Sequence, residues 1–268
     1  MKFVHRGLEA DVHPSIFNLA GKCAVVIGGT AGIGRAIALG LASAGADVVA
    51  TSRTAASVDA VATEIEALGR RTLRAVCDTS ARASLEALHD RVLGEFGRVE
   101  ILVNCAGVTK RIPTLECTEE QWAQILDINL TGILRSCQVF GRTMLAQRYG
   151  RVINIASLST FVAFRDVAAY GVSKAGVGAL TKSLAIEWAT EGVCVNAIAP
   201  GIFPTDLNRE LLASPRGQEL LVRTPMKRFG MVSELVGPAV FLASDAASFV
   251  TGEILVVDGG YMASGVNQ

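Results

Sequence analysis

Seven short runs rich in β-branched and other apolar residues, at 23–27, 47–51, 71–77, 99–104, 151–156, 194–199 and 254–257, are spaced by longer stretches with helical periodicity. A short run that is mostly apolar on both faces has little to show to water, so such strands need helices on both sides of their sheet. The intervening segments supply them at 33–44, 57–68, 83–96, twice within 118–149, at 170–190 and at 234–244. Strand, helix and strand in regular alternation predict an α/β domain, doubly wound, with a seven-stranded parallel sheet flanked by helices. The stretch 201–227 carries Pro204, Pro215 and Pro225 and reads as a partly helical excursion, with a lid at about 203–227. One domain over 19–268 is expected, preceded by an arm at 1–18.

The bulk chemistry narrows the partners. Half of the 268 residues are apolar, and 25 basic residues balance 25 acidic ones. Zero net charge gives no global electrostatic case for nucleic acid or for an anionic membrane. No apolar run reaches the roughly 18 residues of a membrane span, and the first residues lack a signal-peptide core, so a cytoplasmic setting is expected. The six cysteines form no C-x-x-C pair and no His/Cys cluster with metal-ligand spacing. They read as core thiols, and no metal is expected.

Directly after the first run come Gly28, Gly32 and Gly34, a G-x-x-x-G-x-G turn that includes Thr30 and Ile33 and opens a helix. Gly28 permits a tight turn, Gly32 lets backbone approach a pyrophosphate, and Gly34 lets helix and strand pack closely. The free amides and partial positive charge of the helix N-terminus complete a Rossmann-type dinucleotide site. No Gly-Lys-Ser/Thr follows, which excludes a Walker loop. At the end of the second run an acidic residue would hold an unmodified adenosine ribose; this chain has Thr51, Ser52 and Arg53. Two hydroxyls and a guanidinium suit a 2′-phosphate, with Arg35 in support, so NADP(H) is preferred and NAD(H) is the second option. Asp78 reads either as an adenine contact or as a helix cap. Asn104, Ala106 and Gly107 end the fourth run, where small residues leave room for adenosine and Asn104 bonds either ligand or backbone.

Tyr170 and Lys174 stand four residues apart, on one face of a helix. A free phenol titrates near 10 and is a poor base at neutral pH; a nearby ammonium favours the phenolate and brings it toward the working range. Lys174 can also bond the nicotinamide ribose. Ser157 follows the fifth run and is placed to hold a substrate oxygen. Asn129 sits inside a helical region where asparagine is a poor former. It reads as an exposed polar residue or as one that holds the helix open around a proton-passing water.

Taken together, residues 19–262 resemble the short-chain dehydrogenase/reductase superfamily. The glycine turn matches, with Ile27 where the family has threonine. Asn104-Cys105-Ala106-Gly107 matches the Asn-Asn-Ala-Gly segment with one cysteine substitution. The catalytic Asn-Ser-Tyr-Lys set falls on Asn129, Ser157, Tyr170 and Lys174, and Pro200-Gly201 and Asp258-Gly259-Gly260 match two further segments. The resemblance implies hydride exchange between a nicotinamide cofactor and a carbonyl or alcohol. Tyr170 is then the acid/base, and Ile202 (backbone) and Thr205 meet the nicotinamide amide. It also implies a homotetramer built through the long helices; the 177–184 surface would suit an interface or face the sheet.

Within the superfamily the chain is similar to gluconate and deoxygluconate dehydrogenases and to 3-oxoacyl-acyl-carrier-protein reductases. Substrate choice is expected in 109–111, 159–165 and 205–223, with Arg111, Ser159, Arg165 and Arg209 as candidate contacts for a small sugar acid or hydroxy acid. A 3-oxoacyl thioester reductase is the alternative. A non-catalytic dinucleotide-binding regulator is a second, against which the intact Tyr170 and Lys174 argue.

Overall fold

The computed structural model describes residues 14–205 and 208–265. Among them six strands form one parallel sheet in the order β2-β1-β3-β4-β5-β6. They are β1 (Cys23–Ile27), β2 (Asp47–Thr51), β3 (Ile101–Asn104), β4 (Gly150–Ile155), β5 (Val193–Pro200) and β6 (Ile254–Val257). The crossovers carry α1 (Gly32–Ser43), α2 (Ala55–Ala67), α3 (Arg82–Phe96), α4 (Glu119–Leu126), α5 (Gly132–Gln147) and α6 (Ala168–Trp188). Two short helices, α7 (Arg209–Leu212) and α8 (Pro215–Arg223), occupy the expected excursion, and α9 (Val236–Ala243) precedes β6. Of the expected N-terminal arm, residues 1–13 lie outside the described residues, and Pro14–Phe17 forms a single 3-10 turn.

The predicted strand at 71–77 is corrected. That segment runs beside β2 and is tied at both ends, by Val48 N–H to the Arg71 carbonyl (3.0 Å) and Cys77 N–H to the Ser52 carbonyl (2.9 Å). Between these ends the Thr51 hydroxyl, not a backbone amide, bonds the Ala75 carbonyl at 2.6 Å. The ladder therefore does not close, and the sheet has six strands where seven were expected.

Alternation along each strand divides the core into two layers. Cys23, Val25 and Ile27 face a layer with Leu88 and Val92 of α3, Phe140 and Met144 of α5, and Val177 and Leu184 of α6. Ala24 and Val26 face the other, with Ile37 and Leu41 of α1, Ile65 of α2 and Leu242 of α9. Val177, Thr181 and Leu184 are thus turned inward, which settles the 177–184 alternatives for those positions in favour of the sheet.

One polar chain crosses the apolar interior. Ser136 of α5 donates to Asn104 Oδ1 (2.6 Å), and Asn104 Nδ2 donates to Asn154 Oδ1 (2.9 Å). Asn154 Nδ2 in turn donates to Thr181 Oγ1 of α6 (3.0 Å). Asn104 and Asn154 are direct neighbours in the β3–β4 register. The chain fixes α6 against the two strands whose ends carry the site. Asn154→Ala leaves the Asn104 amide only the weak Cys137 sulfur as acceptor, and a buried under-satisfied group costs about 1–3 kcal/mol. We expect a drop of that size in unfolding free energy, read from the urea midpoint.

Candidate active site

The strand order reverses at β1, with β2 on one side and β3 on the other. The crevice this opens beyond the carboxyl ends of the strands is where doubly wound sheets take their ligands. Gly28 and Gly29 donate to the Thr51 carbonyl at 2.8 and 3.1 Å, bending the chain off β1. Gly28 has φ +80, and a Cβ there would lie 2.5 Å from the Ala106 nitrogen; one on Gly34 would overlap the Gly28 carbonyl. The turn is bare because three backbones meet there. Ala31, at the N-cap of α1, makes no side-chain cap, so the first amides of that helix face the crevice.

A cleft of about 510 Å³ runs from this turn to the end of β4. Gly28, Thr30, Gly32, Ile33 and Gly34 line one end, Ser52, Arg53 and Asp78 the adjoining wall, and Ala106 and Gly107 the floor. Ser157, Tyr170 and Lys174 stand at the far end beside Pro200, Gly201 and Thr205. The groups present fit a dinucleotide: bare amides and a helix N-terminus for a pyrophosphate, and small residues where a ring must lie. Asp78 does not cap the next helix directly; its carboxylate accepts from the Ser80 amide (2.9 Å) and hydroxyl (2.7 Å). These bonds hold it below the usual carboxylate range.

Several sequence candidates are placed elsewhere. Asn104 is buried and its amide belongs to the polar chain above, so it does not line the cleft. The Thr51 hydroxyl bonds Ala75, which leaves Ser52 and Arg53 of the expected cradle. Arg35 turns to Glu64 of α2. Ile202 is not a lining residue; its carbonyl accepts from Gly230 at 2.9 Å. Of the substrate candidates, Arg111 pairs with Asp166, Arg165 is 86% exposed, Arg209 is exposed at the start of α7, and Ser159 is buried with its amide on the Ser157 hydroxyl. None of these four lines the cleft.

The structure also adds Cys105, Phe203 and Asn208 to the lining. Asn208 accepts from the Thr205 amide (2.8 Å) and donates to the Phe203 carbonyl (2.8 Å), holding that loop over Gly32. An asparagine three residues after Thr205 was the available signal.

At the reacting end, α6 begins just before Tyr170 and brings Lys174 one turn deeper. Lys174 is 5% exposed, and its Nζ donates to the Ile155 carbonyl at 2.6 Å. Ser157, in the extended turn after β4, lines the cleft beside Tyr170. Burial pushes the Tyr170 phenol up, and the Ser157 hydroxyl opposes it more weakly. Burial also pushes Lys174 down to about 8, opposed by Cys105. The expected lowering of the phenol by the ammonium is therefore not the dominant effect here: Nζ stands 5.8 Å from the Tyr170 ring centre and is engaged by Ile155. Asn129 is fully buried in a π-helical turn, Asp127–Thr131. Its amide accepts from Val108 N–H (2.8 Å) and donates to the Val108 carbonyl (2.8 Å) and to Ser173 Oγ (3.1 Å). The exposed reading of Asn129 is excluded; the side chain staples the loop after β3 to α6.

A family model described as enoyl-(acyl carrier protein) reductase matches residues 28–262. The chain belongs to the short-chain dehydrogenase/reductase family. It is an oxidoreductase of that family. It is 44% identical over 92% of its length, and 98% of the relative's, to a 2-dehydro-3-deoxy-D-gluconate 5-dehydrogenase of Pseudoalteromonas atlantica. It is 38% identical to a 3-oxoacyl-[acyl-carrier-protein] reductase of Escherichia coli, covering 91% of this chain and 98% of that one. A crystal structure of a gluconate 5-dehydrogenase from Burkholderia cenocepacia in complex with NADP and tartrate superposes with a TM-score of 0.91. That pair is 36% identical and covers 94% of this chain and 99% of the other. Among the described residues no helix is long and apolar enough to cross a membrane, and no three His, Cys, Asp or Glu side chains gather as a metal site.

The buried lysine of this reductase-family site gives a pH signature. Its folded pKa, about 8, lies below its ordinary value of 10.5. The unfolded chain therefore binds more protons between those values, and folding stability rises with pH across them. Below pH 8 both states are charged and the penalty is present in full. Relative to Lys174→Met, the ligand-free wild type should gain about 3 kcal/mol of stability from pH 7 to pH 10.5. A difference that stays flat in urea titrations across that window contradicts this.

Proposed function

We propose that this enzyme interconverts a secondary alcohol and a ketone on a small sugar acid or hydroxy acid, with NADP(H) preferred over NAD(H). The observation that carries the reading is one cleft with a bare glycine turn at one end and Ser157, Tyr170 and Lys174 converging at the other. The bound dinucleotide supplies or takes up a hydride. Tyr170 protonates the carbonyl oxygen in reduction and takes the proton from the alcohol in oxidation. Ser157 holds the same oxygen through its hydroxyl and keeps it within reach of the phenol. Lys174, held by Ile155 and 5.8 Å from the phenol ring centre, would bond a ribose and return the proton. A water held near Asn129 would complete the relay through the main chain of the π turn, because the Asn129 amide is engaged by Val108 and Ser173.

Ser52 and Arg53, with no acidic residue at the end of β2, favour a 2′-phosphate. The substrate class follows two of the relatives named above, a 2-dehydro-3-deoxy-D-gluconate 5-dehydrogenase and a gluconate 5-dehydrogenase. Self-association belongs to the same reading: Val172 and Ile186 on α6 are 49% and 81% exposed, apolar side chains that a second copy would cover.

Oxidation of NADPH with keto-sugar acids and with 3-oxoacyl thioesters tests this reading. We expect turnover of a keto-sugar acid, and Tyr170→Phe should lower kcat by roughly 10²–10⁴-fold, the usual contribution of a positioned acid. Turnover confined to thioesters moves the enzyme to the acyl-carrier reductases. Arg53→Ala should lower kcat/KM for NADPH by about 10- to 100-fold and leave NADH nearly unchanged, as removal of a charge-assisted hydrogen bond does.

A further inference from the structure

Three segments that adjoin cleft-lining residues in the chain, after Thr109, before Tyr170 and after Asn208, are tied together at one aspartate outside the cleft. Asp166 lies two residues before α6 and has φ +65, the left-handed region. Its carbonyl accepts from Ile112 N–H at 2.7 Å, joining it to the segment after β3. Its Oδ2 accepts from both Nε (3.0 Å) and Nη2 (2.8 Å) of Arg111. Oδ1 lies 3.6 Å from Arg165 Nε, and Arg216 of α8 donates to the Arg165 carbonyl at 3.0 Å while its charge also faces Asp166. The carboxylate is held below its usual range, first by the Arg111 hydrogen bond and then by these charges.

Three guanidinium groups around one carboxylate leave a surplus of positive charge. A guanidinium has five N–H donors, and Arg111 uses two of them on Asp166, so three remain to receive another anion. Arg111 and Arg165 are 57% and 86% exposed, so their contribution as free charges is screened by water and salt. Orientation is not screened. An unheld arginine must lose its rotamer freedom on binding, and Asp166 has removed that loss for Arg111 beforehand.

We propose that Asp166 is a positioning residue for substrate choice: it gathers Arg111, Arg165 and Arg216 into a preset cationic rim that receives the carboxylate of an acid substrate. The inference rests on the sugar-acid reading above.

Asp166→Asn and Asp166→Gly separate the carboxylate from the backbone, because asparagine and glycine both tolerate left-handed φ. Both variants should keep the wild-type Tm within a few degrees. Steady-state kinetics are measured with a keto-sugar acid and with a neutral keto-sugar of the same chain length. We expect KM for the acid to rise about 10-fold in both variants, with kcat within about two-fold and no change for the neutral ketone or NADPH. Adding Arg111→Met to Asp166→Asn should raise KM for the acid little further, since the two act as one unit. An acid KM that stays at the wild-type value, or that rises equally for acid and neutral ketone, overturns the proposal alone. A wild type that does not distinguish the two ketones overturns the sugar-acid reading, and this proposal with it.

Discussion

The contact between the β1–α1 turn and the end of β3 sets where everything else in this molecule can be. Gly28 presses its α-carbon against the backbone of Cys105 and Ala106 so closely that no side chain fits between. That approach is possible because β3, not β2, follows β1 on this side of the sheet, with Ile27 opposite Asn104. At the turn the crevice is therefore floored by backbone and small residues. A phosphate lying there meets amides and a helix N-terminus. The strands to the other side, β4 and β5, then bring Ser157 and Pro200-Gly201 up to the same edge.

The reacting end is organised by burial as much as by pairing. Lys174 is nearly inaccessible and is bonded to a strand carbonyl, so its charge is held at a cost that Lys174→Met would remove. Tyr170 is made less acidic by the same enclosure. The pair is stiffly positioned from below: Thr181, two turns beyond Lys174, anchors α6 to Asn154, and Asn129 anchors the loop after β3 to Ser173 on α6. Rigid elements thus hold the phenol, while the segments at 111–112 and 165–166 are surface loops joined through Asp166.

The apolar runs made the sheet legible, because a strand buried on both faces leaves an unbroken signature. The bounds expected for β2 and β6 are those observed. The run at 71–77 lacks that unbroken signature: Arg71, Arg74 and Val76 are exposed while Ala75 and Cys77 are buried, and the Thr51 hydroxyl occupies the Ala75 carbonyl where a ladder amide would bond. Motif spacing likewise brought Gly28, Ser157, Tyr170 and Lys174 into one cleft. It failed for Asn104, whose partners Asn154 and Ser136 are 50 and 32 positions away, and for Arg111, whose carboxylate is 55 positions away. A polar residue at a strand end or on a loop announces that it needs a partner. Local sequence does not say whether the partner is a ligand or a distant part of the chain.

Direct hydride transfer between a nicotinamide cofactor and a ketone held in one cleft is tested most directly by the fate of deuterium carried at both C4 positions of NADPH during reduction of a keto-sugar acid, followed by mass spectrometry of the product. Direct transfer puts a single deuterium on the new carbinol carbon, delivered by the wild type and at a greatly reduced rate by Tyr170→Phe. An unlabelled alcohol, or a label transferred equally fast without the phenol, would contradict it.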